Sequence, residues 1–541
     1  MLYQSSKQTP ILLGLAGLGL TATLPRDASS LSLNIPAGNA IDKSDTINSA
    51  FCGFAFEQAS FVRYAQGDDG KPNAFSKNLI EAIVSRTKGF PIIRLGGTST
   101  DYAKYQPGQK KPALPVDEQD KYQNIGFETI GPSYWELAHN FPDAKYMVQV
   151  PLATTNVSET IAWTESAVKG IGLANIYTIQ PGNEPDLYAN NFKGKDGVKL
   201  QPPEYQGTLN AETYAGNYSK YVEKILDKLP NLGKGRKFSA FDVSTHFGKA
   251  EGEEATVLDV GECFSLGIDK SNAIHEVAHH YYQGNAGGAA DLASGLMDVG
   301  ATHHHLDQFA KRISWLRQNK PDIKFVLSEV GNSLDRTNAY AYQARLGSAL
   351  WQLDFYLYAM TVGVARINYQ QIMHAGYNLW LPVASAGHQP QVFANFYSQP
   401  FVADFIGTSG KTRVAQLKTG RKDNVAAYAA YEGSDGAAKR LAVANLNYWN
   451  KATAGGKERP GVAVDLKVGK DVKKVRVVRL SSPEGAGAEA DSITYGGSQW
   501  TYKSLGKEVK GVRDDTKEIT VKDGVARVTV PSSEAVLVEL S

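Results

Sequence analysis

The sequence predicts an α/β protein: a (β/α)8 TIM barrel followed by a C-terminal antiparallel β-sandwich. Three observations predict it. Eight short apolar runs alternate with helix-like stretches between residues 50 and 371. The glycine-rich phosphate loop that a doubly wound sheet carries after its first strand is missing. After Gly407 the texture changes to alternating segments rich in Gly, Lys, Val and Thr, separated by turn signals.

Taken in order, residues 1–24 read as a secretory signal peptide. Lys7 precedes an apolar run over 11–20, and small and polar residues follow. Ten apolar residues are too few to span a bilayer. Residues 25–48 form an N-terminal segment whose alternating stretch 31–35 is expected to add a strand to the sandwich. The barrel is expected over 49–405. Its strand runs are 51–56, 91–97, 145–150, 176–181, 238–245, 274–282, 324–330 and 362–371, rich in Val, Ile, Tyr and Phe as buried parallel strands are. Between them, Phe75, Leu79, Ile80, Ile83 and Val84 fall at helical spacing. The sandwich is expected over 406–541.

The full chain has 541 residues, long enough for a large domain and a smaller one. A net charge of +2 lacks the one-sided basic field of a nucleic-acid binder. No stretch after the signal qualifies as a membrane helix. Two sequons, Asn156-Val-Ser158 and Asn217-Tyr-Ser219, agree with export as glycosylation sites. Cys52 and Cys263 are the two cysteines; one disulfide and two buried free thiols both remain open. Oligomeric state is not legible.

The chemistry is carried by two glutamates. Gly182-Asn183-Glu184-Pro185 follows directly on the fourth strand run, and Ser328-Glu329-Val330-Gly331 closes the seventh. Barrel chemistry sits at this C-terminal rim. A carboxylate ending a buried strand is costly unless it has a partner or a task. Strands four and seven lie across the barrel from each other, so the two side chains can meet over its mouth. Glycosidic cleavage with retention needs such a pair about 5–5.5 Å apart, one group to protonate the leaving oxygen and one to attack the anomeric carbon. This arrangement predicts Glu184 and Glu329 as the catalytic pair.

These residues resemble a known family. Asn183-Glu184-Pro185 and Ser328-Glu329 are similar to the acid/base and nucleophile signatures of the clan A barrel glycosidases. Arg94-Leu-Gly-Gly-Thr-Ser-Thr-Asp-Tyr102 resembles a segment of glycoside hydrolase family 79, which holds β-glucuronidases and heparanases. The two-domain layout resembles its fungal members. The resemblance implies a secreted retaining exo-β-glucuronidase acting on β-glucuronide-bearing carbohydrate, without cofactor or metal. It implies that Asn183 bonds the sugar 2-hydroxyl and that Tyr282 contacts the nucleophile. It also implies that Arg94 pairs with the carboxylates from below, Glu57 holds sugar hydroxyls, and Tyr377 meets the glucuronate carboxylate.

Other readings compete. Within the class stand a heparanase-like endo-enzyme and a glucosidase- or xylanase-like enzyme. Outside it, His275-Glu276-Val-Ala-His279 matches a zinc-peptidase string. That chemistry needs a helix, and here the string occupies a strand slot, which would set the two histidines about 13 Å apart. A non-catalytic carbohydrate-binding barrel would be expected to lose one carboxylate, and this one keeps both.

Overall fold

Strands that are apolar on both faces bury themselves only by closing on one another inside a layer of helices. The computed structural model describes residues 30–38, 42–115, 128–153, 155–188, 209–245, 258–284, 292–334, 339–374, 376–385, 387–419, 424–433 and 436–540. The expected signal segment, 1–24, lies outside the described residues.

Eight parallel strands close into a barrel: β1 (Cys52–Glu57), β2 (Ile92–Gly96), β3 (Lys145–Val150), β4 (Ile176–Pro181), β5 (Phe238–Val243), β6 (Ile274–Gly284), β7 (Lys324–Ser333) and β8 (Ile367–Gln371). Each strand pairs its sequence neighbours, and β8 pairs β1, with Ile367 opposite Cys52. The expected (β/α)8 TIM barrel is borne out. One element differs. The run 362–371 reads as a single strand, but Val362 ends a helix, Leu346–Val362, and β8 begins only at Ile367. Gly363, with φ 108°, takes the left-handed turn that stops the helix.

The barrel floor is polar and filled. Arg366 on the approach to β8 donates to Glu276 of β6 at 2.9 Å and to Asn368 at 2.9 Å, and lies over the Tyr177 ring. The chemistry is thereby confined to the opposite end. Helix Leu346–Val362 is buried on nearly every side, as its almost wholly apolar sequence requires. It lies between barrel and sandwich, where Tyr428 donates to its Asp354 at 2.5 Å.

Two sheets form the sandwich of the C-terminal domain. The larger runs Thr412–Gln416, Val425–Glu432, Ala438–Asn445, Glu534–Leu540, Lys474–Ser481 and Thr494–Tyr495, with Thr516–Thr520 also pairing Lys474–Ser481. The smaller holds Ser30–Asn34, Gly461–Lys467 and Val525–Pro531. Alternating residues such as Leu31, Leu33, Val464, Leu466 and Val528 face Val443, Val475 and Val538 between the sheets. The sandwich is antiparallel apart from Ser30–Asn34, which pairs Gly461–Lys467 in parallel. The other face of the larger sheet joins the barrel core through Tyr428, Leu480 and Leu537.

Candidate active site

Glu184 and Glu329 sit where β4 and β7 reach the C-terminal rim. Glu184 adopts a left-handed backbone, φ 46° and ψ 56°, immediately before a short 3-10 turn, Pro185–Leu187. A residue preceding proline favours extended backbone, so this conformation is strained. Its backbone N–H is tied to the Asp242 carbonyl at 2.9 Å, which holds it in place.

Two irregularities on β5 and β7 build the site between them. In the β6–β7 pairing, His279 faces Leu327 and His280 faces Glu329, so Ser328 is skipped. In the β5–β6 pairing, Phe241 faces Ala278 and Val243 faces His279, so Asp242 is skipped. Phe241 and Asp242 also have positive φ, 79° and 48°. Each skipped residue is a β-bulge, which breaks the in–out alternation and re-aims a side chain. Ser328 and Glu329 consequently both turn inward, and the Ser328 hydroxyl donates to the Asp242 carboxylate.

Arg94 organises the cluster from β2. Its guanidinium, wholly buried, donates to Glu329 Oε2 at 2.8 Å, Asp242 Oδ2 at 2.6 Å, Asn183 Oδ1 at 2.8 Å and Gln180 Oε1 at 2.9 Å. A buried cation is tolerated because its donors are so fully matched. Tyr282 OH donates to the other oxygen of Glu329 at 2.6 Å. His280 Nδ1 lies 3.1 Å from Glu184 Oε1 and 3.9 Å from Glu329 Oε2, and its Nε2 is 2.8 Å from Asp242 Oδ1. Exposure separates the members: the side chains of Glu184 and Glu329 are 15% and 10% exposed, against 0–1% for Arg94, Asp242 and His280. Among the described residues of this cluster, the two glutamates are the more exposed acids.

Burial would raise the Asp242 carboxyl, but Arg94 and His280 overcome it and hold it well below the usual range. Burial would likewise strip charge from His280, yet Asp242 and Glu329 raise it well above an ordinary histidine. Glu57 of β1 is pushed up to about 7 by burial and by the charge of Glu329. Its oxygens accept from the Ser99 N–H at 2.7 Å, the Ser99 hydroxyl at 2.6 Å and Gln370 Nε2 at 2.9 Å. Gly97 makes this possible. It has φ 95°, and a Cβ there would lie 2.5 Å from the Glu57 carboxyl carbon.

The expected residues Asn183, Glu184, Glu329, Tyr282 and Arg94 are brought into one bonded cluster. Glu57 stands beside it on β1. Tyr377 joins through its ring, 5.7 Å from that of Tyr282. Asp242, His280 and Gln180 were not singled out from the sequence, and Ser328 entered only as the neighbour of Glu329 in its motif. Asp242 carried the same signal as the glutamates, a lone carboxylate in a buried strand. His280 shares its inward face with Glu276 and Tyr282 at spacing two.

The rival zinc string lies on β6, not on a helix. Glu276 is committed to Arg366 at 2.9 Å, His275 meets Tyr177 OH at 3.2 Å, and His279 packs among Phe241, Phe309 and Phe325. Cys52 and Cys263 are free and buried, which answers the alternative the sequence left open. Asn156 is exposed at a helix N-terminus, whereas Asn217 is half-buried within helix Ala211–Lys228.

Fold and site together define a (β/α)8-barrel glycoside hydrolase with an appended β-sandwich. Residues 427–537 match the glycosyl hydrolase family 79 C-terminal beta domain. The chain is 26% identical over 533 residues to a protein named beta-glucuronidase from Aspergillus niger, covering 95% of this chain and 94% of that protein. It is 23% identical over 459 residues to a beta-glucuronidase from Neurospora crassa, covering 81% and 79%. Among solved structures, a 4-O-α-L-rhamnosyl-β-D-glucuronidase from Fusarium oxysporum superposes with a TM-score of 0.75 at 19% identity, over 94% of this chain and all of that one. A GH51 arabinofuranosidase from Xanthomonas axonopodis superposes with a TM-score of 0.57 at 14% identity, over 95% of this chain and all of that one. The resemblance to glycoside hydrolase family 79 is borne out.

Proposed function

We propose that the protein is a secreted, exo-acting β-glucuronidase that cleaves with retention, Glu329 serving as nucleophile and Glu184 as acid/base. The observation that carries this reading is the pairing of the two glutamates around one ring nitrogen, 3.1 and 3.9 Å away. Two oxygens at these distances from one atom stand at most about 7 Å apart, which spans the separation of about 5–5.5 Å that retention needs and reaches only the lower end of the 6.5–9.5 Å typical of inversion.

Glu329 is held by Arg94 on one oxygen and by Tyr282 on the other. It attacks the anomeric carbon while Glu184 gives its proton to the departing oxygen. The sugar is then held as an ester on Glu329. Glu184, now ionised, takes a proton from water as that water attacks the same carbon. Glu329 is released, Glu184 regains its proton, and the sugar leaves with its β-configuration. Asn183 Oδ1 faces the Arg94 donor, so its NH2 is the group suited to the 2-hydroxyl.

The choice of glucuronide rests on the two fungal relatives, which align along most of their length. Tyr377 is the proposed donor to the sugar carboxylate, beside Tyr282. Aryl-leaving-group release from matched β-glucuronide, β-glucoside and β-xyloside tests the assignment. Strong preference for the glucuronide is expected, narrowed in Tyr377→Phe, with the β-anomer forming first by NMR. Preference for a neutral sugar would remove the glucuronide assignment; an α-anomer first would remove retention. Release of monosaccharide rather than oligosaccharide from polymer checks exo action. Export is supported by the apolar run over 11–20, and N-terminal sequencing of protein from the medium tests it. Asn156 is the sequon better presented for glycan, and endoglycosidase treatment of that protein reads it out.

A further inference from the structure

Asp242 is a peculiar residue to find in a barrel strand. It is skipped by the β5–β6 pairing, takes a left-handed backbone and is almost fully buried. Strain and bulges of this kind persist only where the surroundings over-determine them. Here they do: Asp242 accepts from Arg94 at 2.6 Å, from His280 Nε2 at 2.8 Å and from the Ser328 hydroxyl, itself delivered by the bulge on β7. The Asp242 carbonyl also fixes the backbone of Glu184. Two bulges on the strands flanking β6 thus converge under one imidazole.

That imidazole has a carboxylate oxygen on each ring nitrogen: Glu184 Oε1 on Nδ1 and Asp242 Oδ1 on Nε2. A neutral histidine has a single N–H: bonded to Asp242 through Nε2, it would have to take the Glu184 proton on Nδ1, and it would face a carboxylate with a bare lone pair once Glu184 ionises. An imidazolium donates to both. Every charged or titratable group facing it bears on this. Asp242 from β5, Glu184 from the end of β4 and Glu329 from β7 favour its charge; Arg94 from β2 opposes it but is itself paired to Asp242 and Glu329. Tyr282, two residues on along β6, holds its proton toward Glu329. His279, on the outer face of the same strand, is held neutral by burial, with its pKa lowered to about 3.

We propose that Asp242 and His280 are positioning residues for the reaction, a dyad that keeps a permanent imidazolium donating to Glu184 Oε1 and lying beside Glu329. This inference rests on the assignment of Glu184 and Glu329 given above. With Oε1 occupied by the Nδ1–H in both states of Glu184, the other oxygen exchanges the proton with leaving group and water. The imidazolium stabilises the charge that appears on Glu184 as it protonates the leaving oxygen, and the charge Glu329 carries before attack. Its own protons do not move: Glu184 gives one proton to the leaving group and takes one back from water. Asp242 is the counter-charge that keeps the ring doubly protonated.

The test reads pH profiles. Removing a positive charge beside two carboxyls raises the proton affinity of both. His280→Gln is therefore expected to move both limbs of the kcat/KM profile to higher pH by about one unit or more. Loss of turnover should be larger for an unactivated aglycone than for an activated aryl group. Limbs unmoved, with a uniform loss for both leaving groups, would mark His280 as merely structural and overturn the inference. Neutron diffraction from crystals grown of the wild-type protein would give a second reading that needs no variant. Deuterium on both Nδ1 and Nε2 is expected, and deuterium on one nitrogen alone would overturn the inference. Azide rescue of Glu184→Ala is measured alongside. Rescue with unmoved His280→Gln limbs defeats the dyad alone, whereas no rescue defeats the assignment of Glu184 on which it rests.

Discussion

Glu184 and Glu329 are distinguished from the other acids of the cluster by what they touch. Glu329 has a donor on each oxygen, Arg94 at 2.8 Å and Tyr282 at 2.6 Å, and is held in one orientation by both. Glu184 meets His280 at 3.1 Å, and its side chain is 15% exposed. Removing the acid/base should therefore spare the chemistry of activated leaving groups. Glu184→Ala is expected to lose about 10²–10⁴-fold on an unactivated β-glucuronide and much less on a dinitrophenyl one. Added azide should restore turnover by attacking the glycosyl-enzyme and giving a β-glycosyl azide. An α-azide, or no azide product at all, would count against the assignment. The identity of this residue was legible in the sequence because Asn183-Glu184-Pro185 stands at a strand end, and strand ends are locally encoded. Its left-handed backbone was not, because Pro185 alone argues for an extended residue there and only the bond to the Asp242 carbonyl reverses that preference.

At the scale of the element, β7 shows how a strand does more than hold a side chain. The bulge at Ser328 turns two consecutive residues inward, and Gly331, two residues beyond Glu329, clears space for the Tyr282 ring. A Cβ on Gly331 would stand 2.7 Å from Tyr282 Cδ1, so the ring must shift and its hydroxyl must leave Glu329. The φ of Gly331 is not positive, so alanine suits its backbone. Gly331→Ala is expected to cost kcat on the order of 10²-fold with little change in melting temperature. Wild-type kcat in this variant would mean that the Tyr282 contact is dispensable. The sequence pointed to Gly331 only as a neighbour of the glutamate. Its steric role depends on β6 lying alongside in this register, which no local pattern specifies. The bulges were invisible for the same reason: a skipped residue is defined by its partner strand.

At the scale of the whole molecule, buried acids set the dependence of stability on pH. Burial lifts Glu128 to about 8, Asp186 to about 7 and Glu57 to about 7. Each binds its proton more tightly folded than unfolded. Between the ordinary carboxyl range near pH 4–5 and about pH 8 the folded state holds more protons, and stability falls as pH rises. Asp242, held low, works the other way only at strongly acid pH. The melting temperature is expected to decline from about pH 5 to pH 8, and Glu128→Gln, which keeps the contact with Gln58 (now 2.6 Å), should flatten that decline. A melting temperature that rises across this window would show these acids to be ionised in the folded state. A single transition is expected in the same scans, because Tyr428, Leu480 and Leu537 of the sandwich belong to the barrel's own hydrophobic core.

The sequence by itself determined the order of eight strands, the texture change near Gly407, and two glutamates where the fourth and seventh apolar runs stop, although the seventh strand itself continues past Glu329 to Ser333. These are local properties: β-branched runs, turn residues and a charge placed where an apolar run stops. Tertiary structure decided what surrounds those glutamates. Arg94, Asp242, His280 and Glu329 come from four different strands and Glu184 from the loop that follows a fifth, and barrel closure makes them neighbours. Whether Asp242 and Ser328 face inward depends on bulges that exist only in the pairing. A lone buried acid in β5 could have been read as a warning, but its partners, and with them its charge, are properties of the closed barrel.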